Sequence, residues 1–274
     1  MTQDQDDWIP EVDLQTERAH PARVYDYLLG GKTNFAADRA AGDTILTEWP
    51  GARVSTRAAR AVMHRMTRRL ATVHGVRQFL DIGTGIPTAP NLHEVAQSID
   101  PATRVVYVDN DPIVLAHARA LLSSTREGRT AYVDCDLRDP EKLLADPALL
   151  GATLDLTQPV ALTLINIVHF LSDEVALPLV AQLLEALPAG SFLALTAGTA
   201  DSIPERAEVA SRRYREAGIE NHLRSQAGVA RFFDGLELDD PGVVLINRWY
   251  PELDDGPALA DNQVMAYAGL GRKP

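Results

Sequence analysis

The spacing of apolar residues separates the chain into a helical first part and a second part in which strands and helices alternate. Up to about residue 76 no strand pattern occurs, and residues 55–73 place apolar side chains every three or four positions, as an amphipathic helix does. Gly75 follows in the position typical of the residue just beyond a helix. We predict that residues 1–76 form an acidic arm followed by a helical cap or lid.

From residue 77 onward, short apolar segments alternate with helical patterns, which favours a parallel sheet with right-handed crossovers. The predicted strands are residues 77–82, 104–108, 130–133, 159–165, 191–196, 243–247 and 263–270. The predicted helices are one that starts at Pro112 and those over residues 173–187, 204–217 and 225–233. The predicted fold class is α/β, with a Rossmann-like domain over residues 77–274. Its mostly parallel seven-stranded sheet is closed by an antiparallel strand, and a helical insertion lies near residues 201–233.

The composition is that of an ordinary globular protein, with 46% hydrophobic and 23% charged residues in a chain of 274. No apolar run reaches the roughly 18 residues that a membrane span needs, so we expect no membrane association. The first residues are polar and acidic, unlike a signal peptide. A single cysteine, Cys135, excludes an internal disulfide and a cysteine-based zinc cluster. We expect a cytoplasmic protein.

The net charge of −12 disfavours a nucleic-acid partner, because phosphate is repelled at long range. The charge is uneven, since residues 53–77 hold seven arginines and no acid. This run is either the solvated face of a helix or a patch for an anionic substrate or partner. The histidines share no metal-ligand spacing, and we predict no metal site.

Candidate chemistry lies at the ends of the first three predicted strands. Residues 81–85 read Asp-Ile-Gly-Thr-Gly, and glycine directly after a buried strand lets the backbone approach a ligand closely. Thr88 stands where a dinucleotide-binding turn has its third glycine, which disfavours a nicotinamide-dependent oxidoreductase.

The second and third strands each end in an acid. The Asp109 carboxylate can accept hydrogen bonds from both hydroxyls of a ribose, and Asp136 can accept one from an adenine amine. Each acid alone is equally a turn or cap residue. Acids at three consecutive strand ends, together with the glycine turn, favour a cofactor site.

These motifs carry a family resemblance. Residues 79–85, 106–112 and 136–137 resemble the successive motifs of class I S-adenosylmethionine-dependent methyltransferases. Residues 22–35, which contain Tyr-Asp-Tyr-Leu-Leu-Gly-Gly-Lys-Thr-Asn-Phe, and residues 77–83 resemble a bacterial S-adenosyl methyltransferase family formerly classed as a domain of unknown function. The resemblance covers nearly the whole chain. It implies S-adenosylmethionine (SAM) as the cofactor and S-adenosylhomocysteine (SAH) as the product, with no established acceptor.

The resemblance also implies roles for particular residues. Asp81 would orient the amino group of the cofactor, and the glycine turn would lie under its methionyl and ribose portions. The predicted cofactor-binding residues are Asp81, Gly83, Thr84, Gly85, Asp109, Asn110, Asp136, Leu137, Asn166, Tyr25, Tyr27 and Lys32.

The fourth strand is followed by Asn166 and His169, where many relatives carry residues that face the methyl group. We predict both as catalytic residues, with His169 either a general base or a packed, hydrogen-bonded histidine. The family often has a second histidine where Phe170 stands, so this chain argues against a paired-histidine role.

The N-terminal motif has two interpretations. Tyr25, Tyr27 and Lys32 lie beside Gly30 and Gly31, which could act as a hinge. In one interpretation the motif is a cofactor lid, with an aromatic face near the sulfonium and Lys32 near the methionyl carboxylate. In the other, the residues end a helix and pack.

The sequence therefore predicts a SAM-dependent methyltransferase with a small-molecule acceptor. No Asn-Pro-Pro-Tyr or Asp-Pro-Pro-Tyr motif follows the fourth strand, so methylation of nucleic-acid bases is not supported. The alternative is a non-catalytic SAM-binding regulatory protein that engages a partner through its N-terminal helices. No oligomeric state is indicated by the sequence.

Overall fold

One mixed sheet organises the chain. A computed structural model describes residues 14–121, 123–253 and 256–274, so the acidic arm predicted for residues 1–13 lies outside the described residues. The strands are β1 (Gln78–Ile82), β2 (Arg104–Asp109), β3 (Arg129–Asp134), β4 (Ala161–Ile165), β5 (Phe192–Gly198), β6 (Glu237–Leu238), β7 (Val244–Leu245) and β8 (Ala266–Arg272). Their order is β3-β2-β1-β4-β5-β8-β6, and β7 also pairs with β8.

The first five strands run parallel, and β8 is antiparallel to β5. This confirms the predicted fold class, with one difference in strand number. The described residues form eight strands, because the two-residue strand β6 adds to the edge beyond β8. Two residues are too few to show the alternation by which a strand is recognised in a sequence.

The helices are α1 (Pro21–Leu29), α2 (Ala36–Glu48), α3 (Ala52–Thr72), α4 (Leu92–Gln97), α5 (Pro112–Leu121), α6 (Pro140–Leu144), α7 (Asp173–Glu185), α8 (Pro204–Glu216) and α9 (Gln226–Ala230). Several start at proline. The N–H groups of a first turn have no partner within the helix, so the N–H that proline lacks costs no hydrogen bond there. No helix in the described ranges is long and apolar enough to cross a membrane.

Helix α3 joins the N-terminal part to the sheet. The apolar stripe predicted on it is buried at Val62, Met66 and Leu70, in the same core as the central strands, whereas Val73 at its end is 61% exposed. Helices α1 and α2 instead form a second apolar cluster, which Ile219 after α8 joins.

The arginine run is not a uniformly solvated face. The Arg65 side chain is buried and donates to the backbone oxygens of Ile246 and Trp249 at 2.6 and 2.7 Å. Arg69 pairs with Asp239, and Arg77 pairs with Asp100. Part of the run therefore ties α3 to the sheet domain, which corrects the interpretation of the whole run as solvated.

Candidate functional site

A cavity of about 560 Å³ lies between the carboxyl ends of the parallel strands and helices α1 to α3. This is within the range of about 300–1,000 Å³ that is usual for small-molecule sites. Eleven of the predicted site residues line it: Asp81, Gly83, Thr84, Gly85, Asp109, Asn110, Asp136, Leu137, Asn166, His169 and Tyr25. A second depression of about 640 Å³, beside α7 and the segment 231–236, contains none of them.

The turn after β1 forms the floor of the cavity. Gly83 and Gly85 have φ values of +73° and +69°, a backbone region that favours glycine. A Cβ at Gly83 would lie 2.7 Å from the Ile167 side chain, whereas a Cβ at Gly85 would meet nothing within 4 Å. The backbone conformation of the turn therefore favours glycine at both positions, and the space beside Gly85 leaves room for a ligand.

Asp109, at the end of β2, is buried and held by two backbone donors. Its Oδ1 accepts from the Asp111 N–H and its Oδ2 from the Gly85 N–H, both at 2.9 Å. Burial raises the pKa of this carboxyl, while the two backbone hydrogen bonds oppose the rise. Each carboxylate oxygen has a further lone pair, so Asp109 can still accept from a diol.

Asp136, after β3, faces the same cavity from the next strand. It pairs with Arg138 at 2.7 Å and accepts from the Asn110 side-chain amide at 3.0 Å. The hydrogen bond from Arg138 is the main cause that lowers the pKa of Asp136 to about 2, so this acid remains an anionic acceptor. Leu137 beside it is buried and supplies an apolar surface.

Asp81 and Arg60 bring opposite charges to the glycine turn. Burial raises the pKa of Asp81 to about 6, and the hydrogen bond from the Thr163 hydroxyl, at 2.5 Å, opposes that rise, as does the positive charge of Arg60. Arg60, on α3, lines the cavity and donates to the backbone oxygens of Thr88 and Pro90. Its Nε is buried without a hydrogen-bond partner among the described residues.

Arg60 was not among the predicted site residues. In the sequence it belongs to the arginine run, and only its helical spacing from the cavity-lining Thr56 and Met63 distinguishes it. That signal becomes usable once the face of α3 that meets the cavity is known.

Asn166 follows β4 with a φ of +56°, which is uncommon for a residue with a side chain. Its backbone N–H donates to the Thr196 hydroxyl at 2.9 Å, and that hydroxyl donates to the Asn166 side-chain oxygen at 3.0 Å. Tyr25 reaches Asn166 from α1, since its hydroxyl hydrogen-bonds with the Asn166 side chain and donates to the Thr56 oxygen at 3.2 Å. The N-terminal part thus contacts the end of β4 directly.

His169 lines the cavity in the 3-10 helix Val168–Phe170. Burial is the main cause that lowers its pKa to about 3, and the nearby Arg224 cation adds to the effect. The Gly198 N–H points to His169 Nδ1 at 3.4 Å, so Nδ1 accepts and the ring proton belongs on Nε2. His169 is therefore a neutral imidazole that can donate a hydrogen bond.

The cavity excludes two residues predicted to lie in it. Tyr27 is two residues from Tyr25 on α1 and so points to another side, where its hydroxyl bonds Asp43 at 2.5 Å and its ring packs on Arg53. Lys32, beyond the helix end, is exposed and does not line the cavity. In this structure both side chains therefore lie outside the cavity, and Tyr25 is the aromatic residue of the motif that lines it.

The two glycines of the motif serve a compact loop. Gly30 ends α1 with a φ of +91°, and a Cβ on Gly31 would lie 2.0 Å from the Asp26 carboxylate. That carboxylate accepts from the Thr33 N–H at 2.9 Å and the Asn34 amide at 2.8 Å. Helix termination and close packing therefore account for these glycines.

Charged side chains fasten the cap to the loop that follows β2. Arg23 Nε lies 3.4 Å from the Asp111 carboxylate and 3.6 Å from that of Asp38, and all three side chains are buried. His20 Nδ1 lies 3.1 Å from Asp111. Because the Asp111 N–H in turn bonds Asp109, the cap and the site share one network. Within the described ranges, no cluster of three His, Cys, Asp or Glu side chains could hold a metal ion.

The comparisons with known proteins agree with this geometry. A family model described as S-adenosyl methyltransferase matches residues 8–274. A DUF574 family protein from Streptomyces avermitilis MA-4680, of known crystal structure, is 50% identical in sequence. The match covers 96% of this chain and 100% of that protein's chain, with a TM-score of 0.92. A protein from Thermobifida fusca YX, also of known crystal structure, is 39% identical in sequence. The match covers 95% of this chain and 97% of that protein's chain, with a TM-score of 0.87.

More distant solved structures share only the fold. The plantazolicin methyltransferase BpumL, bound to SAH and a triazolic desmethylPZN analog, is 14% identical, covers 92% of this chain and 96% of its own, and gives a TM-score of 0.54. No curated protein matches the chain in sequence. The family match spans almost the full chain, and the fold and the glycine–acid motifs fit it. The chain therefore belongs to the S-adenosyl methyltransferase family and is a SAM-dependent methyltransferase, with SAH as the product.

Proposed function

We propose that this methyltransferase acts on a small molecule that binds in the cavity beneath helices α1 to α3. The observation that carries the proposal is the composition of the cavity wall. One part holds the glycine turn and the strand-end acids, and the other part is lined by residues of helices α1 to α3, of α8 and of the segment after it. Two adjoining parts suit a cofactor and an acceptor, and the total volume of about 560 Å³ suits small ligands.

The residues present fit SAM. Its methionyl end is a zwitterion, and Asp81 with Arg60 offers one carboxylate for the ammonium group and one guanidinium for the carboxylate. The buried Arg60 Nε without a partner supports such a contact, because an unpaired buried donor is costly. Asp109 would hold the ribose, with Asn110 beside it, and Asp136 with Leu137 would hold adenine.

When bound, SAM supplies a methyl group already activated by a sulfonium cation, for in-line displacement. The protein then has to align the acceptor and exclude water. Tyr25 and the cap above the strand ends would exclude water, and the Tyr25 ring can stabilise a nearby cation by about 0.5–2 kcal/mol. Asn166, held by Thr196, would fix the floor at the end of β4.

The low pKa of His169 favours a positioning role over the role of a general base. A base is most effective when its pKa is near the working pH, and a pKa of about 3 is far below it. A neutral imidazole with its proton on Nε2 can instead donate to the acceptor or to a water beside it. We therefore propose that His169 orients the acceptor by donating a hydrogen bond.

The regulatory alternative requires an arginine surface that is free for a partner. Arg60 and Arg65 donate to backbone oxygens within the fold, and Arg53 donates to the Tyr27 oxygen at 3.0 Å. Arg69 pairs with Asp239. Since most of the run serves internal contacts, its composition gives no support to a partner surface.

The test is methyl transfer from tritiated SAM to an extract of the native host, followed by separation of small molecules from macromolecules by ultrafiltration. We expect the label in the small-molecule fraction, and we expect Asp109→Ala to lower its amount. Label that appears only in protein or nucleic acid would contradict a small-molecule acceptor. The absence of enzyme-dependent label in every fraction, despite bound SAH, would favour the regulatory alternative.

A further inference from the structure

The acceptor part of the cavity has a wall chemistry that selects a class of molecule. We infer that the methyl acceptor is an uncharged, largely apolar molecule whose polar atom hydrogen-bonds to the Tyr214 hydroxyl. This inference rests on the proposed use of the cavity for a small-molecule acceptor.

The wall of this part is mostly apolar. Leu28 from α1, Ile45 from α2 and Trp49 after it belong to the second apolar cluster and also line the cavity. Ile219, after α8, belongs to the same cluster, and Phe170, after β4, packs against it. An apolar ligand would transfer its own surface from water to this wall, with a gain of about 25 cal/mol for each Å² removed from water.

Charged side chains in the lining are concentrated at the cofactor motifs and at the rim. The charged residues at the motifs are Arg60, Asp81, Asp109, Asp136 and Arg138, with His20 beside Asp111. In the acceptor part, the charged residue of the lining is Glu220. Its side chain is 76% exposed and lies 3.3 Å from His222. A charged acceptor would lose its hydration there without meeting a buried counter-charge, which is costly.

Tyr214 supplies a polar group within the apolar wall. It lies on α8, lines the cavity and packs against the second apolar cluster. The Tyr25 hydroxyl is close enough to affect it electrostatically, and burial raises the pKa of Tyr214 to about 12, so the group keeps its proton. The protonated hydroxyl can donate to a ligand oxygen or nitrogen, and one such neutral hydrogen bond contributes about 0.5–1.5 kcal/mol.

The experiment uses three probes that share a naphthalene ring and differ in charge. The full-length protein, saturated with SAH, is titrated by calorimetry near neutral pH with 2-naphthol, 2-naphthoate and 2-naphthylmethylammonium. We expect 2-naphthol to bind at least about tenfold more tightly than either charged probe. Tyr214→Phe should weaken 2-naphthol binding by about five- to tenfold, which corresponds to one neutral hydrogen bond. Tyr132→Phe is the control, because it removes the same hydroxyl from a tyrosine that does not line the cavity.

The outcomes separate this inference from the proposed function. Equal or tighter binding of a charged probe, or no 2-naphthol binding to a protein that binds SAH, would overturn the inference while the methyltransferase assignment stands. Equal losses in Tyr214→Phe and Tyr132→Phe would refute the role of Tyr214. Failure of SAH itself to bind would refute the proposed cofactor site. Should Tyr214→Phe not fold, Ala210→Leu fills the same wall, and it must weaken 2-naphthol binding and leave SAH binding unchanged.

Discussion

The assignment of Asp109 to the cofactor ribose gives the sharpest quantitative prediction. Asp109→Ala removes two acceptor oxygens that lie in a buried turn at the end of β2. Charge-assisted hydrogen bonds contribute about 1.5–3 kcal/mol each, and part of that is already used by the Gly85 and Asp111 N–H donors. We therefore expect SAH binding to weaken by about 2–4 kcal/mol, a loss of roughly 30- to 1,000-fold.

The assay is titration calorimetry with SAH, with NAD as a comparison ligand that should not bind. Asp155→Ala is the matched control, because Asp155 also accepts a backbone N–H in a turn, from Thr157 at 3.0 Å, and does not line the cavity. Asp109→Asn keeps an acceptor oxygen for the turn but loses the charge, so its affinity should fall between those of the parent and Asp109→Ala. An Asp109→Ala protein that is folded and binds SAH as tightly as the parent would refute the ribose assignment.

Three further predictions follow from charges in the cavity. Asp81 has a pKa of about 6 and must be ionised to hold an ammonium group, so SAH affinity should fall as the pH drops below that value, approaching tenfold per pH unit. Calorimetry should find this pH dependence abolished in Asp81→Asn. Arg60→Met should weaken SAH by roughly tenfold or more and leave adenosine unaffected, because adenosine lacks the methionyl carboxylate; equal losses for both ligands would place Arg60 elsewhere. Since His169 is neutral above its pKa of about 3, the pH–rate profile of His169→Gln should have the same shape as that of the parent between about pH 5 and 8. If the parent profile has an acidic limb that the variant profile lacks, His169 acts as a general base.

Much of the fold could be predicted because its strands are local patterns. The five parallel strands are short apolar segments, and parallel pairing brings their carboxyl ends to one edge, where Asp81, Asp109 and the residues after β3 meet. By contrast, β6 has two residues and depends on pairing with β8, a long-range contact that no short window contains.

The site was predictable where a residue follows a strand and less so where a helix supplies it. Tyr25 and Tyr27 look equivalent in the motif, yet successive helical residues turn by about 100°, so the two side chains diverge and only Tyr25 lines the cavity. Arg60 and Tyr214 come from α3 and α8, and their place in the cavity depends on how those helices pack. In the sequence they are one arginine among many and one aromatic residue in a charged helix.

A crystal structure of the protein with SAH bound tests the central claim most directly. We predict that SAH lies in the cavity beneath α1 to α3, with the Asp109 carboxylate at about 2.5–3.2 Å from the ribose hydroxyls and the methionyl end between Asp81 and Arg60. The part of the cavity beside Tyr214 should remain available to an acceptor. SAH bound elsewhere, or bound in the cavity with its ribose away from Asp109, would contradict the account.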